Sequence, residues 1–154
     1  MQNTPIRNKR EPFFNDVPPG VLALGSLLVV IEILLQILGL EWRSGAFLLF
    51  AFFPIEFSTP YKELFFGQNL LMFFSYSLLH GNFFHMIINV AILFALGKQI
   101  EERVGMINFI LIFVSTAIIG AVAYQILASG NPAPMVGASA VSYTHLTLPT
   151  KRIV

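Results

Sequence analysis

Three apolar stretches, at 21–40, 83–103 and 107–127, constrain this chain more than any other feature of it. Roughly twenty residues rising about 1.5 Å apiece cover a hydrocarbon core of about 30 Å, so each stretch is long enough to cross a bilayer as a helix. A chain that is 56% hydrophobic and 11% charged, with a mean hydropathy of +0.76, cannot hide its apolar area in a water-soluble domain of 154 residues. The expected fold class is therefore all-α, a polytopic transmembrane helical bundle in contact with the lipid bilayer. With no cysteine, disulfides, thiol nucleophiles and thiolate metal sites drop out together. A formal net charge of +1, with no basic stripe, leaves nothing to neutralise a phosphate backbone, and nucleic acid is excluded as a partner.

The rest of the chain arranges itself around these spans. Residues 1–20 form a polar, turn-rich tail in which Arg7, Lys9 and Arg10 precede Pro12, Pro18 and Pro19. A charged segment ahead of an apolar run also resembles a signal peptide, but the run is long and no small-residue cleavage site follows it, so an uncleaved span is expected. Between 41 and 69, rings such as Trp42, Phe47, Phe57 and Phe66 alternate with Arg43, Pro54, Glu56, Pro60, Lys62 and Glu63. That mixture suits an interfacial loop with short helices lying partly in the membrane, against the plainer reading of an ordinary external loop. Asn82 is placed to cap the second span, Glu101, Glu102 and Arg103 mark its exit, and Gly105 turns the chain into the third. Ala91-x-x-x-Ala95, Thr116-x-x-x-Gly120 and Ala117-x-x-x-Ala121 are small-residue spacings that let helices approach closely. A second turn, Ser129 to Val136, precedes Gly137-Ala138-Ser139-Ala140.

Positive charges set the orientation. Arg7, Lys9 and Arg10 before the first span and Lys98 and Arg103 at the turn between the second and third spans fall on one side by helix counting, whereas the turn at 129–136 is uncharged. The expected topology is a cytoplasmic N-terminus in a plasma membrane, the bacterial inner membrane. The same counting places the start of the second span and the turn after the third on the outer side, so His85, Asn89 and Ser139 are expected at one depth. His85 and Asn89, four residues apart, share a helix face about 6 Å apart. Each has a plain reading: a polar pair that ties helices together, and a small serine at a helix start. A metal site is not expected, because no carboxylate or third histidine stands at ligand spacing.

The run His80-Gly-Asn-Phe-Phe-His85-Met-Ile-Ile-Asn89, followed by Ile100-Glu101-Glu102-Arg103-Val104-Gly105 and then Gly137-Ala138-Ser139-Ala140, resembles the rhomboid intramembrane serine proteases over roughly 21–142. The resemblance implies a peptide-bond hydrolase acting on transmembrane protein substrates without a cofactor. Ser139 would be the nucleophile, with His85 and Asn89 contributing to the oxyanion hole. His80 would brace the loop above the site, Gly137 would stand at the nucleophile's turn, and Glu101 and Arg103 would form a structural polar cluster. The family's general base is a histidine on a sixth helix, and its Trp-Arg pair ahead of the second helix is replaced here by Leu71-Met72. His145 does not substitute for that base, since six helical residues put it about 9 Å from Ser139 and about 240° around the axis. Residues 141–154, threonine-rich with Pro149, read as a tail foreign to the family, so that the domain stops at the start of its fourth helix and this chain is itself expected to be inactive. The competing readings are a rhomboid-like protein that binds transmembrane helices without cutting them and, behind it, a metal- or haem-binding helical protein.

Overall fold

A computed structural model describes residues 17–54, 64–128 and 133–138. The expectations for the basic tail before residue 17, for Ser139 and for 141–154 with His145 lie outside the described residues, as do those for Glu56, Phe57, Pro60, Lys62 and Glu63. Among the described residues five α-helices follow one another: α1 Pro19–Leu38, α2 Leu40–Phe50, α3 Gln68–Ser75, α4 Phe83–Val104 and α5 Met106–Leu127, with a 3-10 turn, Tyr76–Leu78, after α3. No strand appears among the described residues, and α1, α4 and α5 are long and apolar enough to cross a membrane. Large apolar side chains on these three helices stay exposed, among them Ile37, Leu96, Ile107, Ile119 and Ile126. Such surface belongs against lipid rather than water, and the protein is integral to a membrane.

Packing starts with α1 against α4. Gly25 makes the approach possible, because a Cβ there would lie 2.4 Å from the Phe94 ring, and Gly97 likewise faces Val21 and Phe109. These glycines, rather than Ala91 and Ala95, bring the helices together; both alanines are exposed. The two helices run antiparallel, and Glu101 near the end of α4 closes the pair by reaching back to the start of α1. Its carboxylate oxygens accept the backbone N–H groups of Gly20 at 2.9 Å and Val21 at 2.7 Å. A helix start has amides with no partner of their own, and Pro18 supplies no side-chain cap, so Glu101 does that work across eighty residues of chain. Arg103 is exposed in the last turn of α4, apart from that buried carboxylate.

At the other end of the bundle, α3 and the 3-10 turn dock on α5. Tyr76, fully buried, donates its hydroxyl to the Ala117 carbonyl at 2.8 Å, and Phe52, Met72, Ala117, Ala121 and Met135 complete an apolar cluster around it. Ala117 and Ala121 thus pack against α3, the turn after it, Phe52 and Met135. Met72 is part of that core. The 41–69 segment contains a regular helix, α2, entered directly from α1 through Gly39.

Candidate functional site

The chain segment that leads to Ser139 is held from three sides. Phe52 and Met135 exchange backbone hydrogen bonds, Phe52 N–H to Met135 O at 3.1 Å and Met135 N–H to Phe52 O at 2.8 Å. Tyr124 near the end of α5 donates its hydroxyl to Ala133 O at 3.1 Å, and the Gly137 N–H reaches Tyr76 O at 2.9 Å. These bonds lay residues 133–138 across the start of α4, where Asn82 caps the helix by accepting the His85 N–H at 2.9 Å.

Gly137 is the point of closest approach. It adopts φ +99°, a conformation that side-chain-bearing residues rarely hold, and a Cβ on it would sit 2.4 Å from His85 Cε1, 2.8 Å from His85 Nε2 and 3.4 Å from Asn89 Nδ2. The helical face predicted for His85 and Asn89 is therefore turned toward the Gly137 turn. Ser139 lies outside the described residues, two positions beyond a glycine packed on both side chains. Asn89 is buried, and its Nδ2 has no hydrogen-bond partner. A buried amide donor left unpaired costs about 1–3 kcal/mol, which a site recovers only when an acceptor arrives. His85 Nδ1 accepts a long hydrogen bond, 3.4 Å, from the Gly81 N–H. A neutral imidazole that accepts at Nδ1 carries its proton on Nε2, the nitrogen nearest Gly137, so this side too presents a donor.

His80 stands behind this pair. It is fully buried, its ring meets that of His85 edge-on at 5.4 Å, and neither ring nitrogen has a hydrogen-bond partner. Burial, and secondarily the neighbouring His85, lowers its pKa to about 4, so the ring is neutral in the folded protein. An unfolded chain binds a proton at His80 near pH 6.5 that the folded chain takes up only near 4. Stability is accordingly full above about pH 6.5 and falls as pH drops toward 4, by up to about 3 kcal/mol. Unfolding midpoints in detergent across that window should decline, and His80→Phe should flatten the decline.

One contact was not anticipated from the sequence. Arg43 on α2 donates to Glu32 Oε1 at 2.5 Å and Gln36 Oε1 at 3.0 Å on α1, and to the backbone carbonyl of His80 at 3.1 Å. Glu32 is completely buried in an apolar helix, and an ionisable group in such a place is itself the signal that a cation stands nearby. No group of three or more histidine, cysteine, aspartate or glutamate side chains gathers as a metal site among the described residues.

The family model described as "Rhomboid domain" matches residues 67–152, a stretch that takes in α3, α4, α5, the Gly137 turn, Ser139 and most of 141–154. No curated protein matches the chain.

Proposed function

Since this chain belongs to the rhomboid family, we propose that it carries the nucleophile and the oxyanion-binding side of an intramembrane serine endopeptidase that cuts transmembrane protein substrates. Ser139 Oγ attacks the scissile carbonyl carbon, and its proton passes to a histidine base that the family resemblance assigns to a later span. Negative charge then collects on the former carbonyl oxygen. His85 Nε2–H and Asn89 Nδ2–H, both turned to Gly137, are the side-chain donors for that oxygen, joined by backbone N–H groups at Ser139. The observation that carries this reading is the buried, unpaired Nδ2 of Asn89 beside the glycine that precedes the nucleophile.

The location fits the task. The antiparallel α1–α4 pairing puts the α1 N-terminus and the α4 C-terminus at one end, and the Gly137 turn with the α4 N-terminus at the other. With the basic tail on the cytoplasmic side, the site opens at the outer end of the helices, where a substrate helix that unwinds easily can present its backbone. His80 and Glu101 act in support, His80 by filling the space behind His85 and Glu101 by fastening α4 to α1.

Asn89→Ala in the complete product of the source locus tests the oxyanion assignment. Removing one such donor costs about 10²–10³ in kcat, with KM little affected, when a model transmembrane substrate is cleaved in liposomes. A variant that cleaves at the normal rate would place the oxyanion elsewhere.

A further inference from the structure

We infer that Arg43 is a positioning residue for this site, holding the His80–Gly81 backbone so that His85 keeps its Nε2 proton aimed at the Gly137 turn. The inference rests on the proteolytic reading above and assigns a role to a residue outside the family's catalytic motifs. It begins from the oddest polar group in the molecule, the Glu32 carboxylate, fully buried in α1. A lone carboxylate there would be expensive, and the Arg43 guanidinium, only 14% exposed, answers it. Anchored by Glu32 and Gln36 through one nitrogen, the planar fork turns its other nitrogen to His80 O at 3.1 Å and, more weakly, Gly81 O at 3.5 Å.

Those two carbonyls belong to the peptide units flanking Gly81 Cα, and the N–H of Gly81 is the group that reaches His85 Nδ1. Arg43 therefore controls, through one residue of backbone, which nitrogen of His85 accepts and which donates. Without the fork, the Gly81 N–H is free to turn from Nδ1, the imidazole is free to exchange tautomers or rotate, and the donor facing the turn is lost for part of the time. Lysine is a poor substitute, since a point charge on a flexible stem can neutralise Glu32 but cannot hold carboxylate, amide and carbonyl in one plane.

The test uses the complete product of the source locus with a model transmembrane substrate in liposomes. Arg43→Gln is expected to lower kcat by about 10- to 100-fold with KM within about twofold of the parent, and Arg43→Lys to fall between the two. Glu101→Gln is the control, because it loosens the opposite end of the same α1–α4 pair: below its unfolding midpoint it should keep its kcat. A solely structural Arg43 would behave as Glu101→Gln does, with a lowered midpoint and an unchanged kcat, and that result overturns the inference. Should Arg43→Gln not fold, Arg43→Lys decides by the same criterion. Absence of cleavage by the parent protein would instead count against the proteolytic reading itself.

Discussion

Replacing Gly137 with alanine is expected to lower cleavage by the complete locus product by about 100-fold or more, with the protein still inserted in the membrane. Two effects act together. The backbone at φ +99° resists a Cβ, at a cost of about 1–2 kcal/mol, and the added methyl group meets His85 Cε1 at 2.4 Å. The turn cannot retreat, because the Gly137 N–H is bonded to Tyr76 O and Met135 is paired with Phe52. His85 must move instead, and a displacement of about 1 Å at a reacting centre is enough to produce a loss of that size. Cleavage assays on liposome-reconstituted protein, with circular dichroism to follow helix content, separate this outcome from unfolding. Near-normal cleavage by Gly137→Ala would show that the turn is not seated on the histidine during catalysis.

Glu101→Ala should have the largest effect on stability. It removes two charge-assisted hydrogen bonds and leaves the Gly20 and Val21 amides without acceptors at a buried helix start, a loss of about 3–5 kcal/mol. At about 2–4 °C per kcal/mol this lowers the unfolding midpoint by about 10 °C in detergent. Glu101→Gln, which keeps an acceptor oxygen, should lose about half as much. Equal midpoints for parent and Glu101→Ala would mean that α1 starts elsewhere, or that another group caps it.

Much of this arrangement is legible in the sequence because it depends on local rules. Spans follow from run length, the Asn82 cap from its position, and the shared face of His85 and Asn89 from a spacing of four. What escapes such reading is carried by contacts between distant segments. The sequence marks Glu101 as the end of one helix, and only the antiparallel packing turns it into the cap of another eighty residues earlier. Small-residue spacing singles out Ala91 and Ala95, but where α1 meets α4 the position with no room for a side chain is Gly25, whose neighbour is the ring of Phe94 rather than a second small residue. Arg43 had a detectable signal in Glu32, an acid inside an apolar run whose nearest following cation is Arg43 itself. The mixture of rings, charges and prolines over 41–69 masks that signal, because it does not reveal that the first part of the segment is a helix continuing almost directly from α1.

The proposed role of Ser139 as a nucleophile served by His85 and Asn89 is tested by cleavage of a model transmembrane substrate in liposomes by the complete locus product and by its Ser139→Ala variant. Cleavage by the parent, abolished in the alanine variant while the protein remains folded and membrane-inserted, is the expected result. Cleavage that survives Ser139→Ala, or a parent that retains the substrate helix without ever cutting it, would contradict it and favour a rhomboid-like protein that binds transmembrane helices.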